Sequence, residues 1–266
     1  MSLSVIAAVG AAVVGGTGAF FSDSETSTGN TFTAGAIDLK VDSKQSYNGN
    51  VCQLGNFDND INTPETYGWV GNAAYPVVGT ACSGAWAVMK DLVPTVDKFF
   101  NFGDVKPGDS GSNSISLHVF NNDAYVCATV ANLKNDDLGL TEPEQSAPAN
   151  DNTNGVGNGE LQQKMLVTIW KDTDGDNVLG GGETVLYGPA PAQAGTWPLY
   201  TPAMGALAGE TTAWLGVKWE LPLATGNEVQ TDSLTADISF KVEQARNNPN
   251  FTCTQDVLVT GPQPVI

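Results

Sequence analysis

Residues 114–120 read SISLHVF, with Ile115, Leu117 and Val119 at every second position. A period of two places those three side chains on one face of a strand and Ser114, Ser116 and His118 on the other. Such a strand has to bury one face, and slipping its register by one residue would turn that face outward. Asn121, Asn122 and Asp123 then make a turn, and YVCATVANL over 125–133 supplies a second strand, completing a hairpin. Further strand patterns lie at 164–170, 184–187, 213–221 and 233–242. Residues 31–41, TFTAGAIDLKV, read as a strand with a bulge at Gly35. With Gly 30 and Pro 14 marking turns, about seven to nine strands are expected. The fold class is all-β, a jelly-roll-like antiparallel β-sandwich with long loop insertions. The insertions are placed at 43–75, 134–160 and 188–209. Residues 81–102 are read as a strand and a short helix, and 104–111 as a Pro-Gly turn. No internal repeat is present.

The formal charge is −18, from Lys+Arg 11 against Asp+Glu 29. That surface repels nucleic acid and anionic membranes and suits divalent cations. Four cysteines, Cys52, Cys82, Cys127 and Cys253, contain no C-x-x-C pair, which argues against a zinc ribbon. Wide spacing and an even count point to two disulfides, with four buried thiols as the alternative. Three connectivities are open. The favoured one joins Cys52 to Cys82 across a local loop and Cys127 to Cys253 near the C-terminus.

The first ionised side chain is Asp23. Residues 1–19 are apolar and end in small residues, as in an export signal cleaved near Gly18 or Ala19. No Lys or Arg precedes the apolar run, and a segment of about 20 apolar residues can also span a bilayer.

Three stretches carry a family resemblance: the GAFFSD junction followed by NTFTAGAIDL, FGDVKPGDSGSNSISLHVFNND, and WELPLATGNEVQTDSLTADISFKVEQARNN. Together they resemble the TasA/camelysin family of exported proteins, whose signal peptides are removed by a dedicated signal peptidase of the SipW type. The resemblance covers both ends and part of the middle of the chain. It implies a secreted structural protein that polymerises into extracellular or biofilm-matrix filaments by donor-strand exchange; some relatives are classed as metallopeptidases, but the residues here point to no enzyme. The chain then divides into an apolar segment 1–19, a donor strand 20–30 and a sandwich domain 31–266. Ala19, Phe20, Phe21 and Ser22 head the donor, with Phe20 or Phe21 as its buried anchor. The partner is a second copy of the chain, head to tail, with membrane contact only during export. One alternative is a pilin-like subunit that keeps residues 1–19 as a helix. Another is a monomeric wall-associated protein or a peptidase of the camelysin type. Against a peptidase, His118 is the only histidine and there is no H-E-x-x-H, G-x-S-x-G or P-loop.

Residues 172–183, DTDGDNVLGGGE, hold carboxylates at positions 1, 3 and 5 and a glutamate at position 12. That spacing curls oxygens around a hard cation. Asp172, Asp174, Asp176 and Glu183, with the Val178 carbonyl, are the expected ligands of a structural calcium ion. Asn177 stands where such loops prefer Gly, and the flanks read as strands rather than helices. Residues 58–60 are a weaker acidic turn. Asn250-Phe251-Thr252 is a glycosylation sequon.

Overall fold

The computed structural model describes residues 22–25, 37–58 and 60–254. The apolar segment 1–19, Ala19, Phe20, Phe21 and the expected bulge at Gly35 lie outside these residues.

Among the described residues, twelve strands form two antiparallel sheets. They are β1 Ser22–Glu25, β2 Asp38–Tyr47, β3 Asn50–Gly55, β4 Thr66–Val70, β5 Trp86–Lys90, β6 Ser110–Phe120, β7 Ala124–Asp137, β8 Leu166–Asp172, β9 Thr184–Pro191, β10 Gly195–Tyr200, β11 Thr211–Glu220 and β12 Asp232–Gln244. The smaller sheet runs β1-β12-β7-β10. The larger runs β4-β3-β2-β6-β11-β8-β9, with β5 sharing the outer side of β2. From β6 onward the chain passes repeatedly between sheets, so the two close over one core as the expected jelly-roll-like sandwich does.

The alternation in β6 organises that core. Ile115, Leu117 and Val119 are fully buried and meet Leu39 and Val41 of β2, Leu215 of β11, and Val126, Leu199, Phe240 and Val242 from the facing sheet. Each such side chain contributes about 1.5–3 kcal/mol by leaving water. The opposite face of β6 is also buried at Ser112, Ser114 and Ser116. A loop that returns over the larger sheet covers it, as described below.

Three expectations are corrected. Residues 43–75 are not a single loop: β2 continues to Tyr47, and β3 and β4 follow. The overlooked signal was Asn48-Gly49, which joins Tyr47 to its partner Asn50 with φ of 49° and 85°. Two left-handed residues in a two-residue loop match the twist of the flanking strands. The helix expected within 81–102 is absent; β5 is followed by turns, because Pro94 and a left-handed Thr95 interrupt the pattern. Residues 188–209 contain β10, whose Trp197 and Leu199 are buried in the core.

The KPGD turn has a defined task. Asp109 accepts hydrogen bonds from Tyr47 Oη (2.8 Å), Asn48 Nδ2 (2.7 Å) and the Lys106 amide (2.8 Å). It therefore ties the β2–β3 hairpin to the start of β6. Burial, followed by that carboxylate, raises the Tyr47 hydroxyl above its usual range, so it stays protonated and donates.

Gly216 of β11 is paired with Trp170, and an added Cβ would lie 2.0 Å from Trp170 Cε2. Trp170 is 1% exposed and has nowhere to move. Gly216→Ala is expected to cost about 1–3 kcal/mol, read as a lower urea midpoint with an unchanged slope. A loss within experimental error would show that the tryptophan repacks freely.

Candidate functional site: a strand edge, two disulfides and an acidic loop

β1 adds to the outer edge of β12, antiparallel, with Ser22 opposite Glu243 and Glu25 opposite Phe240. β12 presents thirteen residues and β1 covers four of them. Along residues 232–239 that edge has no strand partner among the described residues. Phe240 and Val242 point into the core, so the stretch bearing β1 is anchored by full burial on its inner side. Ser22, expected in the donor, is thus in strand pairing. The receiving strand was not identified from sequence; an edge is a property of the assembled sheet.

Cys52 bonds Cys82 and Cys127 bonds Cys253, the favoured connectivity. The first joins β3 to the segment after β4, beside Trp69 and Tyr47. The second ties β7 to the C-terminal stretch, where Phe251 stacks on Tyr125 at 5.2 Å. Asn250, between the tail and this stack, is exposed. The bonds close loops of 30 and 126 residues. A chain-entropy argument assigns them about 3–5 kcal/mol each.

The segment after β8 folds back over the outer face of the larger sheet. Asp172 is 2% exposed. Its Oδ1 accepts from the Gly175 amide (2.7 Å), and its Oδ2 from Ser114 Oγ (3.0 Å) and the Asn177 amide (3.1 Å). Lys44 Nζ reaches the Gly175 carbonyl at 3.1 Å. Gly175 packs on Trp214, and the loop reaches the serine face of β6 through Asp172 to Ser114 and Asn177 to the Ser112 carbonyl. Asn177 takes φ 67°, the left-handed conformation the loop requires in place of Gly.

Ligand atoms of Asp172, Asp174 and Asp176 lie within 4.8 Å of one another. The Asp176 amide lowers the Asp174 carboxyl, but desolvation and the charges of Asp176, Glu183 and Asp172 leave it raised overall. Glu183 is used differently. Its Oε1 accepts from the Thr173 amide (2.6 Å) and hydroxyl (3.2 Å), and its Oε2 from the Gly180 amide (2.8 Å). It clamps the two ends of the loop and stands apart from the aspartate trio. The Val178 amide donates to Asp176 Oδ1 at 2.7 Å, and its side chain is exposed.

His118 Nε2 contacts Asp42 Oδ2 at 2.5 Å and Nδ1 contacts Thr212 Oγ1 at 2.9 Å. Both ring nitrogens are engaged between neighbouring strands.

These features define a disulfide-bonded β-sandwich of the kind found in oxidising compartments, with a short N-terminal strand on an open edge. Residues 1–57 match the family model described as camelysin metallo-endopeptidase, so the likeness to the TasA/camelysin family extends from the N-terminus through β3. No curated protein matches the chain.

Cys127→Ser with Cys253→Ser is expected to lower stability by about 2–5 kcal/mol in urea titrations. Because residues 245–254 carry no strand, the far-ultraviolet circular dichroism spectrum should keep its β character. A variant as stable as the parent would mean that the tail is held by the Phe251–Tyr125 stack alone.

Proposed function

We propose that the chain is a secreted structural subunit that polymerises head to tail, each copy lending its N-terminal segment to the β12 edge of the next. The observation that carries this reading is the β1–β12 pairing. Four backbone partners on an edge that has no other strand among the described residues can be supplied by the same segment of another copy. An exchange of this kind is heterologous and does not close on itself, so it yields a filament. It also removes the hazard of an exposed edge. The family likeness at residues 1–57 covers the donor segment and supports the same reading. The disulfides support an extracellular or cell-surface location. A structural rather than peptidase role is supported by His118, whose two ring nitrogens already serve strand-to-strand contacts.

Ser24 and Lys241 are register partners, so Ser24→Cys with Lys241→Cys reports where the strand docks. Filaments of this variant, oxidised and run on a non-reducing gel, are expected to give a covalent ladder. Filaments that yield only internally bonded monomer would overturn strand donation.

Calcium in the 172–183 loop would harden the outer face, through the aspartate trio with Glu183 holding the loop closed. Calcium at about 100 times its Kd would add about 2.7 kcal/mol. Limited proteolysis within 172–183 is expected to speed up on chelation and to become insensitive to calcium in Asp174→Asn with Asp176→Asn. Cleavage that ignores chelation in the parent chain would remove the ion from this loop.

A further inference from the structure

The larger sheet ends at β4 and β9, and the smaller ends at β10 and at β12 with its short cover β1. A bare strand edge is a template for any extended chain, so each edge has to be filled or blunted. Beyond the four residues paired with β1, β12 has no strand partner on its outer side among the described residues. Its thirteen residues contain no proline, so every one carries an amide. The other three edges are closed, in two different ways.

β4 is closed by the chain's own return over residues 79–82. The Trp69 amide donates to the Thr80 carbonyl (3.0 Å), the Gly79 amide to the Trp69 carbonyl (2.8 Å) and the Cys82 amide to the Tyr67 carbonyl (3.1 Å). The Cys52–Cys82 disulfide fastens this return to β3. The short β5 is blunted as well. Three of its residues, 87–89, stand against one residue of β2, and the Ala87 amide donates to Tyr67 Oη at 2.7 Å.

β9 and β10 are consecutive and have no such cover among the described residues. Both carry proline: Pro189 and Pro191 in β9, Pro198 in β10. Proline has no amide to donate to an incoming strand. The Ala192 amide turns to the Met165 carbonyl beside β8 (3.0 Å). Amides alternate sides along a strand, so the Pro191 nitrogen faces the free side. Acceptors on this rim are occupied too. The Pro191 carbonyl accepts from the Tyr187 hydroxyl. Leu199, skipped in the pairing of β10 with β7, has its carbonyl taken by Lys171 Nζ at 2.9 Å, which reaches across from β8 of the other sheet. The Tyr200 ring, 3.9 Å from that ammonium, holds it in place. Packing does not call for these prolines: Pro189 and Pro191 are exposed and Pro198 is half-buried.

We propose that Pro191 and Pro198, with the carbonyl caps supplied by Tyr187 and Lys171, determine the specificity of assembly: they bar the β9–β10 rim from pairing with a second copy of the chain and confine strand addition to β12. The inference rests on the strand-donation reading above and adds to it that each subunit has one acceptor. One donor and one acceptor give an unbranched filament, whereas a second pairing edge would branch filaments or fuse them sideways.

The test uses the full chain carrying Pro191→Val, Pro198→Val and Tyr187→Phe, with and without a donor block made by Asp23→Pro and Ser24→Pro. The double block removes the amide that faces β12 whichever of the two it is. In analytical ultracentrifugation, the donor-blocked parent should stay monomeric at every concentration. The donor-blocked rim variant should associate as concentration rises, with a mean mass at least about twofold higher. Hydrogen exchange should then show new protection at amides of β9 and β10. Without the block, electron microscopy should show branched or laterally fused filaments for the rim variant and single ones for the parent. If the Pro198→Val chain does not fold, Pro191→Val with Tyr187→Phe, both at the end of β9, carries the test. A folded rim variant that remains monomeric under the block, or that associates with protection elsewhere than β9 and β10, would overturn the inference. Filaments that survive the donor block in the parent would instead refute strand donation, so the two failures are read separately.

Discussion

Everything in this molecule hangs on the interlock between the two sheets, and above all on β6. Its Ile115, Leu117 and Val119 are completely removed from water, and they fix where β2 and β11 must lie on either side. Because the strand period is two, this burial sets the register of β6 for its whole length. The same register turns Ser112, Ser114 and Ser116 outward, where they would be an ordinary wet face. Instead they form the bed on which the 172–177 segment rests, through Ser114 to Asp172. One buried stripe therefore positions both the core and the acidic loop on its far side.

The acidic balance of the chain has a local logic. Eighteen net negative charges would be a simple solvated surface if they were evenly spread. Several are instead drawn inside. Asp172 is buried against Ser114, and Asp137 and Glu144 are buried with oxygens that nothing satisfies. Burying carboxyl groups costs stability unless hydrogen bonds or a cation satisfy them, as Ser114, Gly175 and Asn177 do for Asp172. Calcium on the aspartate trio, as proposed, would cross-link the 172–183 loop over the outer face of the larger sheet. Together with the two disulfides, such an ion would make stability depend on the redox state and calcium content of the surroundings rather than on a large core alone, in keeping with the proposed extracellular role.

The edge of β12 is where fold and proposed assembly meet. Its inner side chains are locked by Phe240 and Val242, its inner neighbour is β7, and β7 is held to the tail by Cys127–Cys253. A strand arriving at the outer side therefore meets a rigid template. Donation to such a template costs ordering only in the donor, which is short and is linked to β2 by residues 26–36.

The sequence alone determined what depends on local chemistry and period. The alternation at 114–120 and 233–242 marked strands with a buried face, and the four cysteines admitted the pairing that forms. The spacing of Asp172, Asp174 and Asp176 marked carboxylates that do converge. The sequence also carried signals that went unread, such as Asn48-Gly49, whose left-handed pair makes the β2–β3 hairpin. What only the tertiary structure decided are relations between residues far apart in the chain. Glu183 has the spacing of a ligand, yet it clamps backbone amides, because β8 and β9 bring the loop ends together. The β12 edge exists only once the sheet is assembled. Residues 134–160 read as a polar surface loop, because each of its acids is separately compatible with water. Burial of Glu144 follows from how the 138–165 connection packs on the end of β7, and no local pattern encodes it.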